Sequence, residues 1–151
     1  MGLDVVSRYW CVSTRGNEIT EAMIQVWKEN FFFHALDNGC ISGGLFGDED
    51  TIIAVSVWPD IETMNAVLDS DAYEQLSLPI IASWGTGGIN IPDDVYLVVN
   101  SLLQEEFIPD LRNMKALLTM SDPDLQSRRI LPNFEVYIED DPNWQNRNDW
   151  V

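Results

Sequence analysis

Arg8, His34, Trp58 and Tyr73 are the side chains of this sequence best suited to chemistry. His34 is the sole histidine and the one side chain whose ordinary pKa lies near neutrality, so it is the natural general base. Arg8 supplies a permanent cation that can hold an anionic oxygen, and Tyr73 supplies a hydroxyl that can donate to the same oxygen. Trp58 offers a flat apolar wall. Each also has a plain structural reading: His34 as a packed or surface residue, Trp58 as a core aromatic, and Arg8 and Tyr73 as members of ion pairs or interface contacts. Cys11 and Cys40, with no C-x-x-C spacing and a single histidine, do not make a zinc or iron ligand set, so no metal is expected. Both cysteines read as reduced and partly buried.

Composition narrows the partners. With 25 acidic against 8 basic side chains, the net charge of −17 repels phosphate backbones and anionic lipid surfaces, which excludes nucleic acid and membrane as expected partners. The acidity is spread along the chain and reads as a solvated surface; the presence of lysine only at 28 and 115 points toward a salt-adapted one. No run approaches the roughly 20 apolar residues of a membrane span. The opening MGLDVVSRYW lacks the pattern of a secretory signal, and Val6 stands where a myristoylation motif wants Ser or Thr, so a cytoplasmic protein is expected. At 151 residues, one domain can bury a sizeable core without a disulfide or metal.

These residues need elements to position them. The clearest is TIIAVSVW at 51–58, a β-branched run that reads as a central strand; Pro59 stops it, and Asp60 caps a helix starting near Ile61. Ile61, Met64, Val67, Leu68, Ala72 and Leu76 form one apolar stripe along that helix. Upstream, Leu3 to Ser13 reads as a strand with aromatics on both faces. Asn17 caps a first helix carrying Ile19, Ala22, Met23, Val26 and Trp27, which runs through Phe31-Phe32-Phe33 to a left-handed stop at Asp37-Asn38-Gly39. The three phenylalanines exceed one stripe, so they either pack in the core or against another subunit, or line an apolar pocket. Cys40 to Phe46 is a second strand in which Gly43-Gly44 marks a bulge or close backbone approach. Gly47 to Asp50 turns back into the 51–58 strand.

Leu78-Pro79 is expected to end the second helix, leaving 80–91 as a glycine-containing loop without the lysine of a phosphate-binding motif. Val95 to Leu103 is a fourth strand. The order strand, helix, strand, strand, helix, strand is the ferredoxin-like α+β arrangement, an antiparallel sheet with two helices on one face and a bare apolar face on the other. Beyond it, Phe107 to Met120 reads as a helix, Ser121-Asp122-Pro123 opens a short helix toward Arg129, Phe134 to Ile138 is a strand, and 140–151 is an acidic tail.

Ser56-Val57-Trp58 followed by Ser70-Asp71-Ala72-Tyr73 resembles the antibiotic biosynthesis monooxygenase family, in which an apolar strand ends in Val-Trp and an amphipathic helix leads to Ser-Asp and an aromatic. The resemblance covers roughly the first two-thirds of the chain and implies a family-type domain over 1–106 with an extension over 107–151. It implies a homodimer in which two sheets pack face to face as an α+β barrel. It also implies an apolar pocket in which a small aromatic or quinol-like substrate is oxidised by oxygen without metal or flavin, with Trp58 as the strand-end wall. Haem-degrading members of the superfamily use an asparagine on the first strand and a histidine late in the second helix. Here Ser7 and Leu76 or Ser77 stand there, which argues against haem. The other reading is a non-catalytic binding or assembly module on the same fold, since few titratable groups fall on the pocket faces.

Overall fold

The computed structural model describes residues 6–91, 95–101, 111, 114–119 and 122–126. The expected strand at 134–138 and the acidic tail lie outside them. Its centre is an antiparallel sheet of β1 (Val6–Ser13), β2 (Ser42–Gly47), β3 (Thr51–Trp58), β4 (Val95–Ser101) and β5 (Lys115–Leu118) in the order β4-β1-β3-β2-β5. The first four strands have the ferredoxin-like order, and β5 adds to the β2 edge with a register shift between Leu45 and Phe46. Residues 115–118, expected in a helix, are therefore a strand. The apolar spacing of Leu111, Met114, Leu117 and Leu118 suits a helix, but the open edge of β2 offers a backbone template that decides otherwise.

Residues opposite one another in neighbouring strands share a face. Arg8 and Trp10 lie opposite Ser56 and Ala54, so Ser56, Trp58, Gly43 and Leu45 belong to the Arg8 face. This face receives the helices. The first helical segment is α1 (Glu21–Trp27), a π-helical turn (Lys28–Phe32) and α2 (Phe33–Asp37). Its cap is Thr20, whose side chain accepts from Met23 N, and not Asn17, whose amide donates to the Thr14 and Gly88 carbonyls. In the π turn Phe33 N–H donates to the Lys28 carbonyl five residues back, and the Asn30 side chain takes the Val26 carbonyl at 2.9 Å. The widened turn lets neighbouring Phe31 and Phe32 both point inward. Gly39 has φ +109°, the expected left-handed stop.

β3 and the cap at Asp60, which accepts from Thr63 N at 2.7 Å, begin α3 (Ile61–Leu68) where the sequence places it. The expected single helix is then two. Ser70 accepts from Tyr73 N and opens α4 (Asp71–Thr86), which continues through Pro79. Pro79 and Gln75 both lie on the exposed side, so the carbonyl that loses its donor faces water, and the burial of Ile80 and Trp84 holds the helix together. Trp84 Nε1 donates to the Met23 carbonyl at 3.0 Å, and its ring lies 5.3 Å from that of Trp10, which fixes α4 across the sheet.

The second sheet face, expected to be bare, is covered along β1, β2 and β3 in the single chain. Tyr9, Cys11, Val55 and Phe46 have no exposed surface, and they share one core with Leu111, Leu118 and Leu125 of the C-terminal third. Lys28, almost fully buried, is paired at 3.2 Å with Asp122, one residue before the short helix α5 (Pro123–Gln126). The pair ties the first helical segment to the chain's last described turn. Among the described residues no helix is long and apolar enough to cross a membrane.

Candidate functional site

Between the Arg8 face of the sheet and the helices lies a cavity of about 190 Å³. β1 presents Arg8 and Trp10 two residues apart, and therefore side by side on one face. Trp27 and Phe31, one turn apart on the first helical segment, form the second wall. α4 closes the third side with Tyr73, Ser77 and Ile80 at helical spacing, joined by Ile81, and Ile91 completes the lining. Phe31 and Tyr73 meet edge to face with centroids 5.8 Å apart.

The polar groups of this cavity converge. Arg8 is 8% exposed, its guanidinium carbon stands 5.8 Å from the Phe31 ring centroid, and its Nε is buried with no hydrogen-bond partner. Burial pushes the guanidinium below its ordinary pKa, partly offset by the Tyr73 hydroxyl, which is both a hydrogen-bonding and an electrostatic neighbour. A cation removed from water and stacked against an aromatic ring needs an anion to complete it. Among the described residues no carboxylate pairs with Arg8.

Of the four candidate residues, Arg8 and Tyr73 are brought together here and the other two stand elsewhere. Trp58 is fully buried at the end of β3 on the same sheet face, with Nε1 donating to Ser56 Oγ at 2.9 Å, and it does not line this cavity. His34 is half-buried on α2, with its ring Nδ1 3.4 Å from the Asn38 amide nitrogen, and it too is outside the lining. The sequence reading missed Trp10, Trp27 and Ser77. The signal for Trp10 was its i+2 spacing from Arg8, and for Ser77 the run 73, 77, 80, 84, which passes through the proline taken as a helix end. Among the described residues there is no group of three or more His, Cys, Asp or Glu side chains placed to hold a metal ion.

A broader depression around the β2–β3 turn, about 800 Å³ and lined by Glu18, Asp48, Glu49, Asp50 and Lys115, opens widely to solvent.

No protein-family model and no curated protein sequence matches the chain. Among solved structures it is similar to SnoaB, a cofactor-independent oxygenase from Streptomyces nogalater, at 12% identity, covering 72% of this chain and 99% of that one, with a TM-score of 0.45. It is also similar to a candidate antibiotic biosynthesis monooxygenase from Nitrosomonas europaea, at 12% identity over 67% and 92% of the two chains and a TM-score of 0.48. A third, a candidate member of the same kind from Chloroflexus aurantiacus J-10-fl, is 21% identical over 64% and 92%, with a TM-score of 0.41. The second and third of these carry the name of the family that the Trp58 and Ser70–Tyr73 motifs resemble, and the likeness is one of backbone course.

Proposed function

We propose that the chain is a monooxygenase of small aromatic or quinol-like molecules, working without a cofactor in the cavity between sheet and helices. The observation that carries this reading is the lining itself: Trp10, Trp27, Phe31 and Tyr73 line a space of about 190 Å³, and a cavity of about 150 Å³ already holds benzene. One substituted ring fits. In the balanced reaction a phenol and dioxygen give a quinone and water: one oxygen atom enters the ring, and the other leaves with the phenolic and ring hydrogens. The electrons come from the substrate. The protein's part is to exclude water, hold the ring between aromatic walls, and stabilise the negative oxygen with Arg8 and Tyr73. Oxygen uptake measured with a panel of simple phenols and hydroquinones tests this, with the quinone product followed by absorbance. Uptake that stays at the buffer rate for every member sinks the oxygenase reading.

One observation favours a second reading. Among the described residues no histidine or carboxylate lines the cavity, so they offer no general base of that kind. A binding module that sequesters an aromatic molecule needs no such group. Binding of the panel without oxygen uptake is the outcome that selects it.

The homodimer implied by the resemblance belongs to this proposal on a different surface. The expected sheet face is already buried, whereas Leu97 and Val99 are exposed on β4, an edge strand among the described residues. Light scattering on the double variant Leu97→Glu/Val99→Glu, beside the unaltered chain, tests whether this edge pairs.

A further inference from the structure

The cavity contains an electrostatic mismatch that bears on the charge of the ligand before any reaction. A guanidinium is held in an apolar space with its Nε unpartnered, and the groups that face it are neutral or aromatic. From α4 come the Tyr73 phenol and the Ser77 hydroxyl; from the first helical segment come the rings of Trp27 and Phe31. Among the described residues, the remaining titratable group within electrostatic reach is the Cys40 thiol, which burial pushes up to about 12 and which is therefore uncharged at neutral pH. Arg8 is thus a lone charge among the described groups that face it. Keeping such a charge dry is costly unless something negative enters beside it.

We infer that the cavity binds its ligand as a planar aromatic monoanion, a phenolate or a carboxylate, with the negative oxygen on the guanidinium of Arg8 and the ring between Trp10, Trp27 and Phe31. The inference deepens the proposed function, since it rests on the same cavity, but it concerns binding and needs no turnover. A planar guanidinium offers Nε and a terminal nitrogen as a fork, which suits a carboxylate, while a phenolate takes one donor from Arg8 and one from Tyr73. A neutral isostere leaves the guanidinium unmatched.

The test uses the full chain and 4-nitrophenol, whose anion absorbs in the visible, so that its ionisation on the protein is read directly. Titrated under nitrogen, bound 4-nitrophenol is expected to have its pKa lowered by about one unit, a tenfold preference for the anion. Benzoate should displace it, and benzamide should not; the ratio of the two anion affinities tells phenolate from carboxylate. Arg8→Met should abolish the preference, and Arg8→Lys should restore part of it. If Arg8→Met does not fold, the titration of the unaltered chain decides alone. Equal binding of neutral and ionised 4-nitrophenol overturns the inference, as does benzamide matching benzoate or the failure of both anions to bind at millimolar concentration. Because oxygen is absent, the inference can stand when the oxygenase reading falls. It can also fall while oxygen uptake is observed.

Discussion

Gly43 lies directly against Phe32: a Cβ added to the glycine would stand 2.7 Å from the ring's Cζ and would also run into the Val55 carbonyl. The ring of Phe32 is fully buried and packs on Trp27 at 4.8 Å, so it has nowhere to retreat. Gly43→Ala is therefore expected to lower stability by about 1–3 kcal/mol through overpacking. Because Phe31 and Phe32 are neighbours in the same π turn, the variant should also weaken 4-nitrophenolate binding. Thermal melts and binding titrations on one sample check both; a melt within error of the parent refutes the packing account.

Tyr73 is held by its edge-to-face contact with Phe31, which Phe at this position keeps. Tyr73→Phe should leave the melting midpoint within a degree or two while removing one donor to a bound anion. A hydrogen bond to a charged group is worth about 1.5–3 kcal/mol, which is roughly a tenfold or greater loss of affinity for 4-nitrophenolate. The pKa of the bound phenol should rise back toward its free value but remain below it, since Arg8 is intact. Equal affinities for the two proteins would remove Tyr73 from the site.

Cys40 gives a pH dependence of known sign. It is buried on the approach to β2, its Sγ donates to the Ser42 and Val57 carbonyls at 3.3 Å, and burial raises its pKa from 9.0 to about 12. A pKa raised by folding means that the folded state holds the proton more tightly. The contribution is fully present below pH 9 and declines between pH 9 and 12, as the unfolded thiol ionises and the folded one does not. The expected slope is about 1.4 kcal/mol of stability lost per pH unit in that window. Chemical denaturation of the parent and Cys40→Ala at pH 8 and pH 10.5 isolates it: the difference between the two proteins should shrink as pH rises. At pH 8 an aromatic disulfide reagent should label Cys40 only at the rate of unfolding.

What could be read from residues alone was whatever short-range chemistry settles. The path from β3 through Pro59 and Asp60 to Ile61 is legible because a β-branched run, a ring without an N–H and a capping carboxylate each act within a few residues. Where long-range contacts decide, the reading failed. Asn17 and Thr20 are both good caps, and the choice fell to Thr20 because Asn17 is engaged with Gly88, distant in sequence. Pro79 looked like a stop because the burial of Trp84 against Met23 and Trp10 is invisible locally. Strand β5 depends on an edge that exists only once β2 and β3 have paired.

The site divides the same way. Arg8 and Tyr73 were recognisable by residue type, and the fold brings them to one cavity. That Trp58 would spend its indole N–H on Ser56, and that His34 would turn to Asn38, depended on rotamers that spacing does not specify.

The Tyr9 face of the sheet is covered along β1, β2 and β3 within one chain, and this bears on how the protein responds to dilution. A barrel of two half-buried sheets exists only by mass action, so its stability is tied to protomer concentration. Here Tyr9, Cys11, Val55 and Phe46 are covered without a second molecule, and unfolding should be a first-order event. The melting midpoint should stay constant over a hundredfold range of protein concentration, even if copies associate along β4. A chain built this way should keep its fold at any dilution, whether or not copies associate.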